Sequence, residues 1–138
     1  MESGFLELPH TADWAVRVWA ADLPALFAAA ANGMNALSGV RLADGPRVPR
    51  LFEARSPDAE SLLVAFLSEL VYAAEQENLA FDRFDLETEQ HVGLYSIRAR
   101  MEGAAMEAIE KPIKAVTFHN LQIVSVEDGL EVEIVFDV

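Results

Sequence analysis

The 138-residue sequence contains no cysteine. That absence excludes a disulfide framework, a thiolate zinc site, an iron–sulfur cluster and a cysteine nucleophile. Basic side chains are also scarce. Ten Lys and Arg stand against 23 Asp and Glu, for a formal net charge of −13. Nucleic-acid backbones are met by Lys and Arg that displace condensed counterions, so direct contact with DNA or RNA is not expected. A basic protein or a hard cation suits this charge better, although acidic surfaces also simply keep domains soluble. Long hydrophobic runs are missing too. The most apolar stretch, residues 61–74, is interrupted by Ser68 and Glu69 and falls short of the roughly 20 apolar residues of a membrane span. Met1-Glu2-Ser3-Gly4 is acidic where a secretory signal would be basic, so the expected compartment is the cytoplasm, with no membrane partner. Finally, no glycine-rich phosphate loop, His-Glu-x-x-His or Ser-His-Asp order occurs, so no sequence signature supports catalysis.

What is present is enough apolar material for a core: 52% of residues are apolar and 9% aromatic. With no repeat or linker, residues 1–138 read as a single domain. Phe5 to Leu8 is a short extended run stopped by Pro9, and Trp14, Val16 and Val18 alternate at the period of a half-buried strand. Asp22 and Pro24 open a helix whose apolar face carries Leu26, Phe27, Ala30, Ala31 and Met34, and Gly39 ends it. Residues 40–50 read as loop, and Leu51 to Ala54 as a short edge strand. Ser56-Pro57-Asp58 starts a second helix, residues 57–77, with Ser56 as its cap. Strand periodicity returns at Phe84 and Leu86, then at Tyr95, Ile97, Ala99 and Met101. Residues 104–112 are ambiguous, with a helical option from Ala104 to Ile109. Val116 to Val126 and Leu130 to Asp137 read as two strands joined by Asp128-Gly129, a strong two-residue hairpin signal. Two helices among hairpin-linked strands predict an α+β fold, antiparallel β-sheets with the two helices packed on them.

That hairpin has a chemical consequence. With Asp128 and Gly129 as its loop, Asp137 falls opposite Asn120 and Val138 opposite His119. An acidic side chain and a terminal oxygen would then lie together on an ordered strand, and neighbouring anions repel unless a cation or donors offset them. Asp13, in His10-Thr11-Ala12-Asp13, has two readings: a turn cap, or a third hard oxygen donor. Asp13, Asp137 and Val138 would suit Ca²⁺, or Mg²⁺ or Mn²⁺, rather than zinc. Lys114 and His119 flank an apolar segment that also holds Thr117. Read structurally, Lys114 is a surface lysine and His119 a strand residue satisfied by the chain end; read functionally, Lys114 neutralises carboxylates or contacts a phosphate, with His119 beside it. Arg98 and Arg100 read as an anion site or, more simply, as partners of nearby acids, and His91 as a turn residue.

Taken together, four blocks resemble the archease family. His10-Thr11-Ala12-Asp13 is similar to its opening motif, and Ser61 to Tyr72 to its central helix. Lys114-Ala115-Val116-Thr117-Phe118-His119 is similar to its late Lys-Ala-Val-Thr-Tyr-His motif, and Phe136-Asp137-Val138 to its ending. The resemblance implies a protein cofactor, not an enzyme. It would activate an RtcB-type tRNA-splicing RNA ligase, promoting guanylylation and multiple turnover and broadening nucleotide use. Such a ligase joins a 3′-phosphate or 2′,3′-cyclic phosphate end to a 5′-hydroxyl. The resemblance also implies a divalent metal, commonly calcium, held by Asp13, Asp137 and an oxygen of Val138. Asp13, Lys114 and Asp137 then carry activation, with His10, Thr117 and His119 as secondary candidates. Phe118 stands where tyrosine is usual, Phe66 where tryptophan is common and Ser68 where asparagine often lies; none of these removes a carboxylate. A stand-alone metal-dependent phosphoesterase and a chaperone-like binding module are the alternatives.

Overall fold

A computed structural model describes residues 1–8 and 14–138 of the chain. Strands β1 (Gly4–Leu8) and β2 (Trp14–Ala20) precede helix α1 (Leu23–Ser38). β3 (Arg41–Leu42) and β4 (Val48–Ser56) lead into α2 (Ala59–Glu77). Then come β5 (Leu79–His91), β6 (Leu94–Ala108), β7 (Ala115–Val116), β8 (Val124–Val126) and β9 (Gly129–Asp137). The fold is α+β, as expected.

Among the described residues every strand pairing is antiparallel. In one sheet the order is β1-β2-β9-β7, and β8 also pairs with β9. In the other, β6 is the hub that pairs with β3, β4 and β5. Both helices share one core cluster with both sheets. Its centre is aromatic. Phe66 of α2 stacks on Phe27 of α1 at 5.8 Å and meets Phe84 of β5 edge-on at 6.1 Å, geometries that suit the ring quadrupole.

The helices follow their local signals. The Asp22 carboxylate accepts from the Ala25 N–H at 3.0 Å and caps α1, and Gly39 takes the left-handed conformation at its end. At α2 the cap is Asp58, not Ser56: the Asp58 carboxylate accepts from the Ser61 N–H at 2.6 Å. Ser56 is instead the last residue of β4, paired with Tyr95.

Three further expectations change where pairing is non-local. The 40–50 segment is not all loop, because β3 and the start of β4 lie in it. Residues 104–108 are strand rather than helix, held by Leu79↔Ala105 and by β3. Gly103 permits this continuation, since a Cβ there would lie 1.9 Å from the Ala80 carbonyl oxygen. The span from Val116 to Val126 is two short strands, not one.

The C-terminal hairpin is also shifted. Val126 pairs with Gly129, so its loop is Glu127-Asp128, and Asp128 carries the positive φ of 67°. Gly129 is needed for a different reason: a Cβ there would lie 2.2 Å from the Ala20 carbonyl oxygen on β2. Among the described residues no helix is long and apolar enough to cross a membrane.

Candidate functional site around Lys114 and Asp137

Asp137 pairs with Ala115 and Phe136 with Val116, so neither Asp137 nor Val138 meets the residue expected from the hairpin. The shifted hairpin loop moves the register by two residues, and a detour moves it further. Between β7 and β8 the chain leaves the sheet over residues 117–123 while β9 runs on without interruption. Thr117 starts the detour, its N–H and hydroxyl both donating to the Val135 carbonyl at 3.1 and 3.0 Å. Asn120 adopts φ 50°, which asparagine tolerates, and the Leu121 N–H closes the turn on the Phe118 carbonyl at 3.1 Å. Leu121 and Ile123 then pack on the core. Burial of those two side chains supplies a reason for the chain to leave the ladder.

The detour builds the local site. The Lys114 N–H donates to the Asp137 carbonyl at 2.8 Å, which joins the late motif to the final strand. The His119 N–H donates to the Thr117 hydroxyl at 3.3 Å, and Asn120 Nδ2 lies 3.3 Å from His119 Nε2. His119, Asn120, Glu133 and Val135 line a small pocket of about 90 Å³. Alternation along β9 puts Glu133, Val135 and Asp137 on one face and buries Ile134 and Phe136 on the other. Asp137, Lys114 and His119 are exposed, Thr117 and Val138 half-buried.

The structure thus brings together Lys114, Thr117, His119 and Asp137. His10 and Asp13 lie outside the described residues. Among the described residues no three His, Asp or Glu side chains converge as a metal would require. Asp137 and Val138 carry oxygen atoms of the hard type that Ca²⁺ or Mg²⁺ takes, and a site for either ion needs about six such oxygens.

Other expected features resolve simply. Arg98 pairs with Glu53 and Arg100 with Glu87, each at 3.6 Å, so the acid-partner reading holds. His91 ends β5 beside the Val92-Gly93 turn. Phe118 is 59% exposed, so a tyrosine hydroxyl there would also have faced solvent.

Two residues escaped the sequence reading. Glu60, visible only as an acid in the first turn of α2, accepts the Ile123 N–H at 2.9 Å and ties the detour to the helix. Lys111 Nζ sits 4.6 Å over the ring of Trp14, the first residue of β2. No local pattern signals either contact.

A family model described as the Archease protein family matches residues 5–138. Protein archease of Methanosarcina barkeri is 34% identical over 137 residues, covering 95% of this chain and 93% of that one. Protein archease of Pyrococcus furiosus is 32% identical over 125 residues, covering 87% of each. Among solved structures, a Methanobacterium thermoautotrophicum protein aligns with a TM-score of 0.76 at 25% identity, covering 98% of this chain and 99% of its own. A Thermotoga maritima archease, described as a possible chaperone, aligns at 0.67 with 20% identity, covering 95% and 94%. The second likeness is one of fold.

Proposed function

The chain belongs to the archease family, and on that premise we propose that it is a protein cofactor that activates an RtcB-type tRNA-splicing RNA ligase. The observation that carries the reading is the main-chain hydrogen bond from the Lys114 N–H to the Asp137 carbonyl, which joins the late motif to the final acidic strand. Two adjoining segments that carry a lysine, a carboxylate and a histidine, with no positioned nucleophile among the described residues, suit electrostatic assistance to another protein's active site better than turnover of their own. Asp137 and Val138, with Asp13, would hold a divalent cation, Ca²⁺ by the hardness of the donors, which would offset their charge and attract phosphate oxygens. Lys114 presents a point charge to the same phosphates. Thr117 fixes the start of the detour, and so positions His119. The reading places the protein in the cytoplasm, working in tRNA splicing through its partner.

The test adds purified protein to such a ligase stalled after one turnover. Restored guanylylation supports the reading, and a ligase that stays stalled overturns it. The alternatives have separate signatures. A phosphoesterase would turn over substrate alone and lose that activity in Asp137→Asn. A chaperone would suppress aggregation broadly and be indifferent to Asp13→Ala.

A further inference from the structure

The chain has only two lysines, Lys111 and Lys114. Among the described residues every arginine except Arg55 lies within 3.6 Å of a carboxylate. Neither lysine has such a partner among the described residues, although the chain carries 23 carboxylates. Abundance alone would have paired them. Arg55 differs in its surroundings, because it lines a cavity of about 530 Å³ with Arg98 and with Glu53, Glu87 and Glu89, where the carboxylates outnumber the cations.

The two lysines ride on one short strap pinned at both ends. The N–H groups of Glu110 and Lys111 both donate to the Ser38 carbonyl at the end of α1, at 2.9 and 3.0 Å. At the other end the Lys114 N–H is held by the Asp137 carbonyl. Between them Pro112 restricts φ and Ile113 is buried. Chain geometry keeps the two lysine Cα atoms within about 11 Å. The Trp14 ring under Lys111 further confines that ammonium group. Of the nearest acids, Glu110 approaches Gly39 at the end of α1, and Asp137 lies on the face it shares with Ala115.

We propose that Lys111 and Lys114 form an anion site for the polyphosphate of a nucleoside triphosphate, with Trp14 holding Lys111 in position. Two spaced ammonium groups match a chain of phosphates better than a single one. Pinning before binding lowers the ordering cost. The site rests on the activator reading only for the origin of the nucleotide, which a GTP-consuming ligase supplies.

With two lysines in the chain, ¹³C-lysine labelling gives one Cε signal for each. The full-length protein is titrated with inorganic tripolyphosphate and, separately, with sodium chloride at matched ionic strength. Both signals are expected to move together and saturate with tripolyphosphate alone, and Lys111→Gln is expected to weaken the Lys114 response about threefold, the scale of an exposed ion pair. No movement, equal movement in chloride, or a Lys114 response unchanged by Lys111→Gln would overturn the site. Because the protein is tested alone, failure here leaves ligase activation standing, and failure of activation leaves the site standing.

Discussion

The carboxylate of Glu60, in the first turn of α2, accepts the N–H of Ile123 at 2.9 Å across 63 positions of sequence. This bond holds the 117–123 detour against the helix, and the detour carries Thr117 and His119. Replacing Glu60 by Ala leaves a part-buried N–H without its charged acceptor, at a cost of about 1–3 kcal/mol. Hydrogen exchange at Ile123 is therefore expected to accelerate by tenfold or more in Glu60→Ala, while Glu60→Gln retains most of the protection. Unchanged exchange in Glu60→Ala would show that the bond does not hold the detour.

A second expectation concerns the aromatic centre. Phe66 is fully buried between Phe27 and Phe84, with Phe52 at 6.4 Å. Truncation to Ala should cost about 3–5 kcal/mol in denaturant unfolding. The larger Phe66→Trp should cost about 1–3 kcal/mol, because the surrounding rings leave no room for a second ring without movement.

The glycine at 103 gives a steric test. Gly103→Ala drives a Cβ to 1.9 Å from the Ala80 carbonyl oxygen and should part β5 from β6, whereas Gly45→Ala meets nothing within 4 Å. Thermal melts should show a loss of several degrees for the first and almost none for the second. Equal melts would mean that the approach at Ala80 relaxes freely.

At the end of α2, Arg50 Nη2 reaches the Glu77 carboxylate at 2.6 Å. The hydrogen bond, helped by the guanidinium charge, holds the Glu77 carboxyl below its ordinary range. A folded pKa below the unfolded one adds stability above the unfolded value and loses it as pH falls through the folded one. NMR titration should therefore find Glu77 protonating at lower pH than an isolated glutamate, and Arg50→Met should return it toward that ordinary value. A Glu77 titration unmoved by Arg50→Met would contradict the assignment.

For the proposed metal, Ca²⁺ should raise the melting temperature, since a ligand at 100 times its Kd stabilises by about 2.7 kcal/mol. Chelation should reverse the rise. Asp137→Asn and Asp13→Ala should each abolish it, and Lys114→Ala should leave it while impairing ligase activation. A rise that survives both acid substitutions would place the cation elsewhere.

Legibility in the sequence followed locality. Asp22, Gly39 and the stripe through Leu63, Phe66 and Leu70 announce both helices, because caps and 3.6-residue periodicity are written within a few residues. The Asp58 cap shows the limit even there. Ser56 is an equally good capping residue, and pairing with Tyr95 draws it into β4 instead.

The sequence alone determined the residue types of the site: an acidic chain, a late lysine motif and a final strand bearing Asp137. Tertiary structure alone decided which of them meet. Asp137 lies beside Ala115 rather than Asn120 because the hairpin loop is shifted and because seven residues, 117–123, leave the ladder as Leu121 and Ile123 pack on the core. Register in a sheet is fixed by burial and by partners distant in sequence, and a turn dipeptide such as Asp128-Gly129 constrains only the pairs next to it. The scarcity of lysine was plain from composition. That both lysines sit on one strap, without a carboxylate partner among the described residues, required the fold.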